Sequence, residues 1–192
     1  MTQNKIIGVT GITGSGTSTV AAILQELGGF VISADKLAHE VMQQGQAAYD
    51  KIVARFGRTI LNTDGEINRK VLGGLVFGNA AAMAELEAII HPEVIAKTKE
   101  LLKQSYAFAV IDAPLLIESG MYKICGSVWL VTAPNETRIA RITSRDGIDT
   151  KTAMRRINSR KGDEFLRSYA DVIIENSTTL EDLRRKIKRE IA

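Results

Sequence analysis

Between Thr10 and Thr19 the chain reads TGITGSGTST. Gly11, Gly16 and Ser18 have the spacing of the phosphate-binding loop G-x-x-x-x-G-K-[ST], with Thr17 in the lysine position. Small residues through Thr13, Gly14, Ser15 and Gly16 let successive backbone N–H groups turn inward around phosphate oxygens. A helix opening at Thr17, with Thr19 in its first turn, adds unpaired amides and the positive end of its dipole. Ser18 supplies a hydroxyl where a Mg2+ ion bridging the terminal phosphates would be ligated. None of these parts needs the lysine. The missing ammonium is one charge-assisted hydrogen bond, about 1.5–3 kcal/mol, and losing a transition-state donor of that kind costs roughly 10²–10³ in rate.

Other residues could act on a phosphate held there. Asp35 follows one residue after the apolar run GFVIS, in SADKLAHE, where open α/β sheets bind their ligands. It could accept a proton from a substrate hydroxyl or help position Mg2+, and capping the helix KLAHEVM is the competing role. Asp112 ends the run AFAVID, where a carboxylate can approach a metal from a neighbouring strand, and APLLIESG then brings Pro114, Leu115 and Glu118 as pocket lining or as core. His39 and His91, the two histidines, lack cysteine neighbours, which argues against zinc. Arg138, Arg141 and Arg145 share a helical face, and Arg155, Arg156 and Arg160 form a second group after an Asp-Gly turn. Such a segment can close on phosphate oxygens and exclude water, or it can be a solvated helix face.

The elements that must position these residues are legible in outline. KIIGVT, GFVIS, FAVID, SVWLVT and DVIIE are short, continuously apolar and rich in β-branched residues, as strands buried on both faces of a parallel sheet are. Helical patterns alternate with them, which predicts a three-layer α/β fold on a five-stranded parallel sheet. About seventy residues separate GFVIS from FAVID, enough for a helical subdomain in which Asn79 caps one helix and Pro92 sits in the first turn of another. A last helix is expected over Thr178–Ile191, with Leu180, Leu183 and Ile187 at helical spacing. The 192 residues, 45% apolar and 24% charged, suit one cored domain, and a net charge of +3 suits an anionic small molecule without demanding nucleic acid. A lone cysteine, Cys125, excludes an internal disulfide and fits a reducing compartment, where it would serve as a small buried hydrophobe. No apolar run reaches membrane-spanning length, so a cytoplasmic protein is expected.

Taken in order along the chain, these segments resemble the dephospho-CoA kinase family. GVTGITGSGTSTVA is similar to that family's phosphate loop, SADKLAHEV to its DAD motif, and IIHPEV to its HP helix start. VIDAPLLIESG resembles its PLL-E segment, RITSRDGI its arginine lid, and ADVIIENSTTLEDL its terminal strand and helix. The resemblance implies a P-loop kinase fold with a core over 1–35, 107–135 and 168–192. It also implies a helical acceptor subdomain over about 36–106 and a lid over about 136–167. The reaction it implies is transfer of the γ-phosphoryl group of ATP, with Mg2+, to the ribose 3′-hydroxyl of dephospho-CoA. Asp35 matches the general base, Thr10 a residue beside the reacting groups, Ser18 the Mg2+ ligand, and Arg141 and Arg145 lid positions. His91 and the stretch Asp112–Glu118 fall on the acceptor side. ATP and dephospho-CoA are the implied partners, with a monomer as the default state.

Three positions depart from the family pattern: Thr17 for lysine, Ser33 for the first aspartate of DAD, and Arg160-Lys161 where glutamine commonly follows the serine. One expectation links the first and third: Arg160 or Lys161 folds in and restores the lost charge. The departures also define two other readings, a catalytically silent binding paralogue and a kinase with an altered donor or acceptor.

Overall fold

The computed structural model describes residues 5–158 and 162–191, which fall into two compact units, Met1–Ser33 with Ser105–Ala192, and Ala34–Gln104. The boundary falls after Ser33, two residues earlier than the one expected from sequence, so Asp35 belongs to the helical unit. Residues 136–167 group with the sheet.

The first unit is built on five parallel strands, β1 (Lys5–Thr10), β2 (Phe30–Ser33), β3 (Phe108–Asp112), β4 (Ser127–Thr132) and β5 (Val172–Glu175), in the order β2-β3-β1-β4-β5. Consecutive apolar residues fit this arrangement because both faces of the sheet are covered. Ile7 and Val9 of β1 point into a cluster with Trp129, Val131 and Ile174, closed by Val20, Ile23 and Leu24 of α1 (Thr17–Glu26) and by Leu183 and Ile187 of α9 (Leu180–Ile191). On the other face a side chain at Gly8 would stand 2.7 Å from both Leu116 and the Cys125 sulfur, so β1 lies flush against the segment after β3. The last helix opens two residues later than predicted. Thr179 accepts from the Asp182 amide and donates to its carboxylate, a local cap that sets the start at Leu180.

Three further helices follow β4 and precede β5: α6 (Asn135–Asp146), α7 (Thr150–Asn158) and α8 (Asp163–Arg167). Gly147, at φ 63°, ends α6, and the Asp149 carboxylate accepts from the Thr152 amide at 2.6 Å to open α7.

The second unit holds α2 (Ala34–Val41), α3 (Ala47–Phe56), α4 (Arg69–Val76) and α5 (Ala80–Leu101). Asn79 caps α5 by accepting from the Ala82 amide. Pro92, expected in the first turn of a helix, instead sits inside the 22-residue α5, with His91 beside it. The ring removes the hydrogen bond to the Ala88 carbonyl, but α5 packs along α2, α3 and α4, and that tertiary support keeps it continuous. Among the described residues no helix is long and apolar enough to cross a membrane.

Burial raises the Cys125 thiol to about 12. The neutral thiol is therefore retained well above the pH at which a free cysteine ionises. Iodoacetamide at pH 8 should leave the native protein unmodified and alkylate Cys125 once urea unfolds it, as read by intact mass.

Candidate active site

β1 is the middle strand, so its carboxyl end emerges between those of β3 and β4. There the chain turns at once: the Ser15 amide donates to the Ile12 carbonyl at 3.0 Å. Gly14 and Gly16 adopt φ of 86° and 94°, values that side chains resist. A Cβ at Gly14 would meet the Arg138 carbonyl at 2.9 Å, and one at Gly16 would collide with the Asn176 amide group. The glycines serve close packing as well as conformation.

Gly16 is the N-cap of α1, and no side chain caps that helix, whereas Asn68 and Asn79 cap α4 and α5. The first-turn amides of a helix have no acceptor within it. At α1 the Thr19 amide donates to the Gly16 carbonyl at 3.1 Å, and the amides before it, of Thr17 and Ser18, stand at the positive end of the dipole, where an anion is attracted. Ser18 and Thr19 are exposed on this first turn, and Thr13, Gly14 and Thr17 are half-buried. The Thr17 methyl folds back to 3.1 Å from where a side chain on Gly11 would begin. Ser15 is buried, and its hydroxyl has no hydrogen-bond partner among the described residues.

The outer side of the loop is held by two groups from distant parts of the chain. Arg141 Nη1 donates to the carbonyls of Gly14 (3.3 Å) and Ser15 (3.2 Å), while its Nη2 donates to the carbonyl of Asn176 (3.1 Å). Asn176 Nδ2 donates to the Ser15 carbonyl at 2.8 Å. Asn176 is buried immediately beyond β5, and sequence reasoning did not single it out. The available signal was an amide residue directly following an apolar strand, in VIIEN. Beside these groups lies a hollow of about 220 Å3 lined by Gly16, Thr19, Arg141, Asn176, Thr178 and Leu183.

The other arginines are placed differently. Arg138 is buried, pairs with Asp163 at 3.4 Å and also donates to Asn135, tying α6 to α8. Arg145 and Arg156 share the carboxylate of Asp146, and the Arg145 guanidinium holds that carboxyl below the usual range. Arg155 donates to the Thr152 hydroxyl at 2.9 Å. Arg160 and Lys161 lie outside the described residues, as does any test of their replacing the loop lysine.

Thr10 is buried at the end of β1 and donates its hydroxyl to the Pro114 carbonyl at 3.3 Å. Asp112 stands opposite Val9 in β1 and Ser33 in β2. The structure thus brings Thr10, Gly11, the loop, Asp112, Pro114 and Arg141 to one end of the sheet. Leu115 is half-buried, Leu116 and Ile117 are core, and Glu118 keeps a buried Oε2 without a hydrogen-bond partner among the described residues. Asp35, exposed in the first turn of α2, and His91, half-buried in α5, belong to the helical unit.

Replacing Asn176 by alanine removes the 2.8 Å bond to Ser15 and leaves a buried carbonyl under-satisfied. The expected result is a loss of about 1–3 kcal/mol in urea unfolding, with ATP affinity about tenfold weaker by calorimetry.

Comparison with known proteins bears on the whole chain. The CoaE dephospho-CoA kinase family profile matches residues 5–182. The dephospho-CoA kinase of Carboxydothermus hydrogenoformans is 40% identical over 186 residues, covering 95% of this chain and 90% of that protein. A dephospho-CoA kinase structure from Campylobacter jejuni superposes with a TM-score of 0.71 at 34% identity, covering 98% of this chain and 96% of that one. A crystal structure of a Thermus thermophilus protein reaches a TM-score of 0.83 at 32% identity, covering 98% and 97%. With its parallel sheet, its glycine loop and these matches along its length, the chain belongs to the dephospho-CoA kinase family.

Proposed function

We propose that this protein transfers the γ-phosphoryl group of ATP to the ribose 3′-hydroxyl of dephospho-CoA, giving coenzyme A and ADP. The observation that carries this reading is the anion seat at α1: uncapped first-turn amides and a glycine loop whose carbonyls are fixed from outside by Arg141 and Asn176. That seat is made of backbone, so Thr17 does not remove it. Phosphoryl transfer asks the protein mainly for positioning and electrostatic stabilisation.

The roles follow from side-chain chemistry. Gly11 through Thr19 hold the β- and γ-phosphates, and the hollow beside Arg141 and Asn176 suits the nucleoside of ATP. Ser18, exposed at the start of α1, offers the hydroxyl for Mg2+, with Asp112 as the nearby carboxylate end of β3. Mg2+ commonly takes one or two protein ligands and completes its shell with phosphates and water, which fits this sparse donor set. The ion would neutralise charge developing on the phosphate oxygens. Asp35 accepts the proton of the 3′-hydroxyl as its oxygen bonds to the γ-phosphorus. The bond from that phosphorus to the β–γ bridging oxygen breaks, and ADP leaves. Arg145 becomes available to the transferring group if it exchanges Asp146 for phosphate. His91, Pro114, Leu115 and Glu118 belong to the acceptor side. The setting proposed is a cytoplasmic monomer acting on two small anionic substrates.

The test is ADP release with Mg2+-ATP and dephospho-CoA, run beside Thr17→Lys. Turnover by the natural chain is expected, with lysine raising kcat by about tenfold or more, within the range of a single donor. No turnover in the natural chain but turnover in Thr17→Lys would favour the silent paralogue, which Thr17 and Ser33 suggest. No turnover in either would reject the acceptor.

Asp35→Asn should lower kcat by roughly 10²–10⁴ and leave ATP binding unchanged, as read by steady-state kinetics and calorimetry. A normal kcat would remove Asp35 as the base.

A further inference from the structure

Helices α6 and α7 meet at one carboxylate. Asp146 is the last residue of α6, and Gly147, at φ 63°, ends the helix behind it. Arg145 Nε donates to Asp146 Oδ1 at 2.7 Å, and its Nη2 donates to Oδ2 at 3.0 Å. Arg156 Nη1, from α7, donates to the same Oδ2 at 2.5 Å. Two guanidinium groups on separate helices therefore share one anion.

Helix stability does not account for this arrangement. Residues i and i+1 do not face each other on a helix, so Arg145 folds back round the end of α6 to reach Asp146 with two donors. A carboxylate on the last residue of a helix opposes the dipole. The end of α6 is already closed by Gly147, whose amide donates to the Thr143 carbonyl at 3.0 Å. Exposed ion pairs matter when they are bidentate or joined in a network, and this one is both. The Arg145 side chain is 65% exposed and that of Asp146 only 20%. The carboxylate is largely covered, while the cation on it stays within reach of a ligand.

The phosphate loop lies close by along the same helix. Arg141 donates to the Gly14 and Ser15 carbonyls, and a step of four residues carries Arg145 about 6 Å along the same face of α6. A guanidinium edge that holds a carboxylate through two parallel hydrogen bonds holds a phosphate in the same way. Asp146 and a phosphate therefore compete for Arg145. We propose that Asp146 stands in for the transferring phosphate, occupying Arg145 until a nucleotide with a γ-phosphate displaces it. Arg156 keeps its bond to Oδ2 during the exchange, so the carboxylate is not left without a cation and the joint between α6 and α7 holds. ADP ends one phosphate short and leaves Arg145 on Asp146. Once the phosphoryl group has moved to the acceptor, the carboxylate takes Arg145 back, which favours release of ADP. This inference rests on the reading of ATP as donor with Arg145 at the transferring group.

The test is calorimetric binding of Mg2+-ATP and of Mg2+-ADP, without acceptor, to the natural chain, Asp146→Asn, Arg145→Gln and the double variant, with thermal midpoints beside them. Asp146→Asn removes the competitor and should tighten ATP by about threefold or more, with ADP affinity and thermal midpoint unchanged. Arg145→Gln should weaken ATP and not ADP. Adding Asp146→Asn to it should change ATP affinity no further, because the carboxylate acts through Arg145. Unchanged ATP affinity in Asp146→Asn would overturn the proposal. So would an equal loss of ATP and ADP affinity, which marks a structural tie, or a gain for ATP that persists without Arg145. A natural chain that shows the expected pattern but does not turn over dephospho-CoA sinks the kinase reading alone. A natural chain that does not bind ATP overturns both.

Discussion

A loop can present its amides to a phosphate only if its carbonyls, which point the other way, are also satisfied. Here that constraint is met by Arg141, whose guanidinium spans the carbonyls of Gly14, Ser15 and Asn176, and by the Asn176 side chain on Ser15. An unpaired buried carbonyl would cost about 1–3 kcal/mol, comparable to a sizeable fraction of a domain's net stability. The bonds also fix geometry. They tie the loop to α6 on one side and to the end of β5 on the other. Arg141 brings a full positive charge to the outer side of a loop whose inner side is backbone amide. The loop therefore has a cation against it without a lysine at position 17.

The helical unit solves a different problem. Its core is formed along α5, which keeps an uninterrupted axis despite Pro92 because three helices lean on it. α2 keeps an exposed face, with Asp35 in the first turn and His39 one turn on. Surface pairs such as Lys51–Glu93 add little stability individually. Lys51, Arg55 and Lys97 are each held against a carboxylate in this way.

Much of this was legible in the sequence, for reasons that differ by element. The strands announced themselves because burial on both faces demands consecutive apolar residues, and the phosphate loop did so because glycine spacing is a backbone requirement. Strand order was not legible, since it depends on crossover geometry. Asn176 went unread because its partner Ser15 lies 161 residues away. Pro92 suggested a helix start because local rules govern proline until tertiary packing overrides them. The arginine-rich stretch showed the right composition but not its division of labour. Arg138 is a buried tie, Arg145 and Arg156 rest on Asp146, and Arg141 reaches the loop. Nothing in the spacing distinguishes these four.

The bare N-terminus of α1 also links occupancy to folding. Val20, Ile23 and Leu24 of that helix sit in the same cluster as Trp129 and Ile7, so whatever completes its first turn also stabilises the centre of the sheet. A ligand that binds only the folded state stabilises it by RT ln(1 + [L]/Kd), about 2.7 kcal/mol at a hundredfold excess over Kd. At cellular nucleotide levels the protein would then be more robust than the same chain purified into buffer. Substitutions in that shared core would be tolerated while the site is filled and become evident only when it empties.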